Sequence, residues 1–310
     1  TGRQTSASMS LRLMSLESCV DLARYTPHTA EVRWSWSASL HGITACSTMG
    51  LVMIGSQTRA STQVASADRY SDWDFQLATT QPEMFATAKW TEAAGLKPLH
   101  YVFRSGRLGS AQKVTALFAE GELDLITIPA VALRGLAQQK VPLRALMADP
   151  NIARALTDLA AVLQGGYRIL KGEEDFGAFY KAVASEVPPA RLSDAEVRQL
   201  VDGFVCDYVS TQGKIDRGEF LAAQRWLHHQ LAEVNFKLLH ELRQREKQVS
   251  FPDARRLEAY GDARVAAVTV AATPDAEALR AAAKQTAATC RTLTEALLGG
   301  AWRWPAGIAS

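Results

Sequence analysis

The segment "KVTALFAEGELDLITIP", residues 113–129, carries the clearest fold signal in the chain. Apolar residues on both sides of an acidic, glycine-containing centre predict two strands joined by a tight turn at Glu120-Gly121. Asp124 lies in the second strand, and Pro129 ends that strand because proline cannot donate a hydrogen bond to a sheet ladder. The segment therefore predicts a turn-linked pair of strands, the second of which holds a carboxylate.

Three further strand candidates lie upstream of this pair, each a short run rich in β-branched, aromatic or aliphatic residues. They are "LVMI" (51–54), "YSDWDFQLAT" (70–79) and "PLHYVFRS" (98–105). Short strands mixed with helical segments predict the α+β class. We expect an N-terminal mixed sheet with flanking helices, followed by a helical C-terminal domain.

Downstream of the strand pair the pattern becomes helical. Ser193 and Glu196 have the spacing of a capping box and predict the start of one helix. Apolar residues at intervals of three and four predict a second helix over 216–248, with one stripe packed inward. Thr273-Pro274 is predicted to open the last helix, with Thr273 as the N-cap.

The chain is predicted to divide into four parts. Residues 1–48 are Ser-rich and mildly basic without a sustained helical or strand period, which predicts a poorly structured extension. Residues 49–187 form the predicted sheet domain and residues 188–300 the predicted helical domain. Residues 301–310 are interpreted as a tail.

The composition narrows the class of protein. Of the 310 residues, 47% are hydrophobic, which is ample for a packed core and favours a globular protein. There are 34 basic and 32 acidic residues, giving a formal charge of +2 and a pI of about 8.3. A charge this close to neutral does not imply a nucleic-acid partner.

The cysteines and the apolar runs bear on the compartment. Cys19, Cys46, Cys206 and Cys290 lie far apart without CxxC spacing, so they predict neither a zinc knuckle nor a small disulfide scaffold. Reduced thiols in the cytoplasm fit this pattern best. The longest apolar stretch, "MGLVMIG", is far shorter than the roughly 20 residues of a membrane helix, so no membrane span is expected.

Two aspartates one residue apart in "RYSDWDFQ" (69–76) raise a question of charge. In a strand, Asp72, Asp74 and Gln76 share one face, while the aromatic residues between them share the other. Carboxylates about 6.5 Å apart repel each other by about 2.5 kcal/mol at an effective dielectric constant of about 20. Either water screens the pair, or a neighbour raises one pKa until that group is protonated, or a cation lies between them.

A glycine-serine turn, the aspartate pair and the later strand aspartate together indicate phosphate and metal chemistry. Backbone N–H groups at Gly55-Ser56 can approach a phosphate closely, and Ser56 adds a hydroxyl donor. Mg²⁺ prefers oxygen ligands, usually one or two carboxylates with water and substrate phosphates, and Asp72 and Asp74 match that need. Asp124 can complete the metal site or accept a proton from an attacking hydroxyl. A solvated strand face is the alternative explanation of an isolated Asp-x-Asp pair.

These residues lie in segments that resemble a known family. "IGSQTR" (54–59), "YSDWDFQLAT" (70–79) and "LFAEGELDLITIP" (117–129) are similar to segments of the nucleotidyltransferase superfamily, whose minimal fold is shared with DNA polymerase beta. Within that superfamily they resemble most closely the aminoglycoside 6-adenylyltransferases that modify streptomycin. A weaker likeness continues through "FVCDYVSTQGKIDRGEFLAA" (204–223), and the whole resemblance covers residues 51–250.

The resemblance implies transfer of AMP from ATP to a hydroxyl of a small molecule, with release of pyrophosphate and two Mg²⁺ ions between nucleotide and protein. The implied acceptor is an aminoglycoside such as streptomycin. By position, Asp72 and Asp74 would hold the metals and Asp124 would act as third ligand or as general base. Gly55 and Ser56 would cradle the β and γ phosphates.

A triphosphate carries several negative charges, so its binding site needs cations. The resemblance suggests two cationic residues for this role. Arg59 and, from the helical domain, Lys214 are predicted to face the nucleotide, with Arg217 as a further candidate. The alternative for each is an ordinary solvated cation.

Two other functions remain open from the sequence. The same chemistry can serve a different acceptor, such as another small molecule, a protein side chain or an RNA end, although the near-neutral charge argues against RNA. A nucleotide-binding module without turnover is the second alternative. The sequence does not indicate the oligomeric state.

Overall fold

The computed structural model describes residues 48–59, 66–68, 70–93, 96–105, 111–119, 121–139, 141–251 and 254–308. The predicted N-terminal extension therefore lies outside the described residues except for Thr48, which is the first residue of a strand.

Six strands form one mixed sheet. They are β1 (Thr48–Ile54), β2 (Trp73–Thr79), β3 (His100–Ser105), β4 (Gln112–Phe118), β5 (Gly121–Pro129) and β6 (Tyr167–Lys171). Their order across the sheet is β3-β4-β5-β2-β1-β6. Strands β2 and β5 run parallel, and every other neighbouring pair is antiparallel. The turn-linked pair predicted from residues 113–129 is β4 and β5, joined with Phe118 opposite Gly121.

The central strands are buried on both faces. On β1, Leu51 and Met53 pack into one hydrophobic cluster, whereas Val52 and Ile54 pack into a second cluster with the helices that cover the other face. This alternation follows from the two-residue period of a strand. The sheet therefore lies between two hydrophobic cores.

The helices that follow β2 and flank the sheet are mostly short. They are α1 (Lys89–Ala93), α2 (Ala130–Ala137), α3 (Leu143–Leu146), α4 (Pro150–Leu163) and α5 (Glu173–Glu186). Asp149 is the N-cap of α4, and its carboxylate accepts hydrogen bonds from the N–H groups of Asn151 and Ile152. Helices α4 and α5 contribute Leu156 and Phe176 to the core beside β1.

The C-terminal part is helical, as predicted. Its helices are α6 (Asp194–Asp216), α7 (Phe220–Trp226), α8 (Glu233–Arg245), α9 (Arg264–Val268) and α10 (Ala276–Leu298), with a π-helical segment Leu227–Ala232 between α7 and α8. The capping box of Ser193 and Glu196 is present in both directions at the start of α6. Together the mixed sheet and the C-terminal helices confirm the α+β class.

Three local predictions are wrong. The helix predicted over 216–248 begins only at Phe220, because α6 extends to Asp216 and Gly218 follows in a left-handed conformation with φ of +75°. The N-cap of the last helix is Asp275 rather than Thr273, since the Asp275 carboxylate accepts the N–H of Ala278 at 2.9 Å. Strand β6 lies in a region that was expected to be helical.

The hydrophobic clusters of the sheet and of the C-terminal helices are formed by separate parts of the chain. Buried members of the C-terminal cluster lie between Val197 and Leu297, while those of the two sheet clusters lie between Leu51 and Val187. The proposed division into four parts stays a prediction.

Among the described residues, no helix is both long and apolar enough to cross a membrane. Cys206 and Cys290 are free thiols.

Candidate functional site

The site lies where β2 and β5 begin. Asp74 and Asp124 are direct neighbours across this parallel pair, so both side chains project from the same face of the sheet. Asp72 comes just before β2, two residues from Asp74, and projects to the same side. A ligand oxygen from each of the three carboxylates lies within 4.8 Å of the others. The structure thus brings together the three aspartates that the sequence singled out, and we call them the aspartate group.

The turn after β1 lies directly beside this group. Ile54, the last residue of β1, is opposite Asp74 in the sheet, so the chain turns next to that carboxylate. Gly55 adopts φ of +78°, and a Cβ atom there would collide with Asp74 Oδ2. Both the conformation and the close approach require glycine. Gln57 strengthens the arrangement by donating a hydrogen bond to the Asp72 carbonyl at 3.4 Å.

Ser56 is unusual in this turn. It is only 5% exposed, and its hydroxyl has no hydrogen-bond partner among the described residues. A buried hydroxyl without a partner loses the hydrogen bonds that it makes in water, so native proteins rarely keep one without a reason. A polar ligand held at this turn would supply the missing partner.

Arg59 is fixed at the end of the same turn. Its Nε donates to the carbonyl of Gly165 at 3.1 Å, and its guanidinium carbon lies 4.7 Å from the ring centroid of Phe251. Burial is the main cause that lowers the pKa of Arg59, and the positive charge of Arg255 adds to it. Arg59 is therefore held in place beside another cation rather than extended freely into solvent.

Asp124 has partners for both of its oxygens on the neighbouring strand. Thr115 lies directly opposite it in β4 and donates from its hydroxyl to Oδ1 at 2.5 Å. Lys113, two residues earlier on the same face, places its ammonium nitrogen 2.5 Å from Oδ2. The Lys113 side chain is 42% exposed and that of Asp124 is 9% exposed. The ion pair therefore joins a buried carboxylate to a lysine that retains access to water.

Asp74 is the electrostatic centre of the group. Burial is the largest cause that raises its pKa to about 6, followed by repulsion from Asp72 and then from Asp124. Lys113 and Arg255 oppose these effects but do not cancel them. Crowded carboxylates that raise one another's pKa are characteristic of metal and acid–base sites.

A C-terminal segment supplies further cations at this site. Arg255 lies close enough to act on both Asp74 and Arg59, and its neighbour Arg256 forms an ion pair with Asp68 at 2.6 Å. Arg256 adopts a left-handed conformation with φ of +54°, which is uncommon outside glycine. The loop after α8 is thus attached to the loop before β2.

The other two predicted cations have partners within the C-terminal helices. Lys214 lies in the last turn of α6 with its ammonium nitrogen 4.3 Å from the ring centroid of Trp226. Arg217 pairs with Glu219 at 2.7 Å. In the described part of the chain, these contacts do not join either cation to the aspartate group, so their role toward a nucleotide stays a prediction.

Sequence reasoning missed Thr115, Lys113 and Arg255. The turn of the predicted strand pair contained the signal for Thr115, because a loop between Phe118 and Gly121 fixes which residue lies opposite Asp124. Lys113 follows from the same register as the diagonal neighbour on that face, within reach of a long side chain. Arg255 had no local signal, since it reaches the site only through packing between segments distant in sequence.

The donor set fits a hard divalent cation. Three carboxylates converge, Asp74 is desolvated, and the Gly55 turn brings the backbone close to the Asp74 carboxylate. Oxygen ligands of this kind suit Mg²⁺ or Mn²⁺ rather than softer metals. Asp72, Asp74 and Asp124 are the residues that would hold the ion.

Comparisons with known proteins give distant likenesses. No protein-family model and no curated protein matches the chain. An aminoglycoside 6-adenyltransferase from Bacillus subtilis is 14% identical over 83% of this chain and 86% of that one, with a TM-score of 0.35. A nucleotidyltransferase-like protein from Exiguobacterium sibiricum 255-15 is 10% identical over 87% and 77%, with a TM-score of 0.33. Likenesses at these scores establish neither fold nor activity.

Proposed function

We propose that the protein is a Mg²⁺-dependent nucleotidyltransferase that transfers AMP from ATP to a hydroxyl group of a small molecule and releases pyrophosphate. The observation that carries the proposal is the convergence of the three carboxylates of Asp72, Asp74 and Asp124 beside the Gly55-Ser56 turn. An aminoglycoside such as streptomycin is the acceptor that the sequence resemblance favours.

The metal and the phosphates have separate places in this proposal. Bound to the aspartate group, Mg²⁺ would neutralise the charge of the triphosphate and favour attack at the α-phosphorus. The backbone N–H groups of Gly55 and Ser56 bind the β and γ phosphates, and the hydroxyl of Ser56 gains the partner that it lacks. Arg59 and Arg255 supply positive charge on the nucleotide side, and Lys214 is assigned there from the sequence.

Asp124 serves as a third ligand or as the general base for the acceptor hydroxyl. Its Oδ1 is hydrogen-bonded to Thr115, so the oxygen available for either role is Oδ2. That oxygen now lies against the Lys113 ammonium. Either role therefore requires Lys113 to share or release Asp124.

The test is incubation of the protein with ATP, Mg²⁺ and a panel of aminoglycosides and other polyols, followed by mass spectrometry. We expect one acceptor to gain the mass of AMP, with pyrophosphate released only when that acceptor is present. Asp74→Asn should reduce the rate by about 10³-fold or more, since the loss of charge removes a metal ligand. Asp158→Asn is the matched control because Asp158 is an exposed aspartate on α4, and it should not change the rate.

Two results would contradict the proposal. Full activity of Asp74→Asn would remove the aspartate group from the mechanism. Thermal stabilisation by ATP without AMP transfer to any acceptor would instead favour a nucleotide-binding module.

A further inference from the structure

The ion pair between Lys113 and Asp124 determines how much charge the aspartate group has left for a metal. Three ionised carboxylates carry a formal charge of −3, and the lysine in direct contact reduces that to −2. One divalent cation balances the remainder. A second divalent ion would leave the group with a net positive charge, in a place where Arg59 and Arg255 already add positive charge.

The position of the lysine has a second consequence. Its nitrogen lies 2.5 Å from Asp124 Oδ2. A divalent cation bound to that oxygen would lie about 2.0–2.6 Å from it, so the ammonium group and the ion cannot occupy the same place. Thr115 occupies Oδ1, so the carboxylate of Asp124 has no oxygen free of a strong partner. Asp72 and Asp74 have no lysine in that position among the described residues.

We propose that Lys113 is a built-in competitor for the metal, so that the protein without nucleotide binds a single divalent ion at Asp72 and Asp74. Lys113 acts through Asp124 and is a positioning residue. Because its side chain is 42% exposed, Lys113 can move to a polyphosphate when one arrives, which frees Asp124 Oδ2. Binding of nucleotide and use of the third carboxylate are thereby coupled. This inference depends on the proposed function.

The experiment counts metal ions on the 310-residue chain in the absence of nucleotide. Mn²⁺ is titrated in place of Mg²⁺, and the free ion is measured by electron paramagnetic resonance at constant ionic strength. The wild-type protein should bind one Mn²⁺. Lys113→Gln should bind Mn²⁺ at least about fivefold more tightly or bind a second ion, because it removes one charge-assisted partner of Asp124.

Two matched variants separate competition from a general effect of charge. Lys113→Arg retains the cation beside Asp124 and should bind Mn²⁺ as the wild type does. Lys284→Gln removes the same charge from an exposed position on α10, which contributes none of the aspartates, and should also behave as the wild type. Lys113→Ala gives a second neutral side chain, and circular dichroism checks that each variant is folded.

The possible failures are distinguishable. If Lys113→Gln and Lys113→Ala bind Mn²⁺ with unchanged or weaker affinity, or if the wild type already binds two ions, Lys113 does not compete, whereas the metal site and the proposed function stand. If the wild type binds no Mn²⁺, both this inference and the metal-dependent mechanism are wrong.

Discussion

Two groups of crowded, half-buried or buried charges among the described residues are built in opposite ways. In the sheet, Asp74 lies next to two other carboxylates, and its pKa is raised to about 6 by burial and by their repulsion. In the C-terminal helices, Asp262 lies between Arg243 and Arg264, whose hydrogen bonds hold the pKa of its carboxyl well below the usual range. The first group is electrostatically unfavourable without a ligand, whereas the second group needs none.

A second carboxylate in the C-terminal helices is also paired with arginines. Glu241 is 2% exposed and accepts hydrogen bonds from Arg191, Arg245 and the N–H of Leu192. Burial acts to raise the pKa of Glu241, but these donors outweigh it, and the net shift is downward. Paired carboxylates that are stabilised as anions are typical of structural networks, and unpaired ones that resist ionisation are typical of functional sites.

Removal of Asp262 should have the largest effect. Its partner Arg243 has a side chain that is only 6% exposed, so Asp262→Ala leaves a buried cation without its counter-ion. We expect a loss of about 3–5 kcal/mol in the free energy of unfolding, measured by urea denaturation. Asp216→Ala is the control, because its ion pair with Arg280 is exposed and should contribute less than about 1 kcal/mol.

The ion pair between Asp262 and Arg243 should also make stability depend on pH. Because the pKa of Asp262 is lowered in the folded state, its contribution is complete above about pH 4, the ordinary range of an aspartate, and is lost as the pH falls below it. The difference in unfolding free energy between the wild type and Asp262→Ala should therefore shrink on acidification. A difference that stays constant down to pH 2.5 would mean that packing rather than charge holds this network.

Asp74→Asn should change the free energy of unfolding in the opposite direction from Asp262→Ala. A folded-state pKa of about 6 means that the folded protein resists ionisation of Asp74, so the penalty develops between about pH 4 and 6 and is complete above it. The shift corresponds to about 3 kcal/mol at most, and solvent screening reduces it to about 1–2 kcal/mol. In EDTA, the variant should be more stable than the wild type by that amount at pH 8 and nearly equal to it at pH 4. Destabilisation at pH 8 would contradict the view of the aspartate group as strained by its own charge.

The contrast between the two groups was only partly predictable from the sequence. Strand alternation placed Asp72 and Asp74 on one face, and the turn placed Asp124 in the second strand of a pair, because strand period and turn chemistry are local properties. The structure adds that Asp74 and Asp124 are direct neighbours in a parallel pair. The ion pair between Lys113 and Asp124 could be predicted only with the register of the β4–β5 hairpin, and that register depends on which residues form the turn.

Other features had no local signal at all. Strand β6 has five residues and is an edge strand whose pairing with β1 spans more than a hundred residues of chain, so its short apolar run is ambiguous between helix and strand. Arg255 likewise reaches the aspartate group through a loop from the C-terminal helices. Packing between segments distant in sequence determines both the formation of β6 and the position of Arg255. The periodicity within one segment carries no information about such packing.

Arg255 allows a test of whether the C-terminal segment belongs to the site or to the structural network. Its side chain is exposed, so Arg255→Gln should leave the free energy of unfolding unchanged within about 0.5 kcal/mol. Loss of one charge-assisted contact to a phosphate should weaken ATP binding about five- to tenfold in calorimetry, with a smaller effect on the rate at saturation. Arg198→Gln, an exposed arginine on α6, is the control. Unchanged ATP affinity would limit Arg255 to balancing the charge of Asp74.

The smallest change in stability is expected at Ser56. Comparing its hydroxyl with that of Thr211 tests the difference between the candidate site and the C-terminal helices with single hydroxyl groups. Thr211 in α6 is fully buried and donates to the carbonyl of Asp207 at 2.8 Å, so Thr211→Val should cost about 1 kcal/mol. The hydroxyl of Ser56 is also buried but has no partner among the described residues, so Ser56→Ala removes a desolvated group and should change stability by less than about 0.5 kcal/mol. If the hydroxyl is reserved for a phosphate, the same variant should bind ATP about fivefold more weakly, while Thr211→Val binds it normally. A loss of stability in Ser56→Ala equal to that in Thr211→Val would show that Ser56 already has a structural partner, and the turn would then be part of the scaffold rather than a place that binds a ligand.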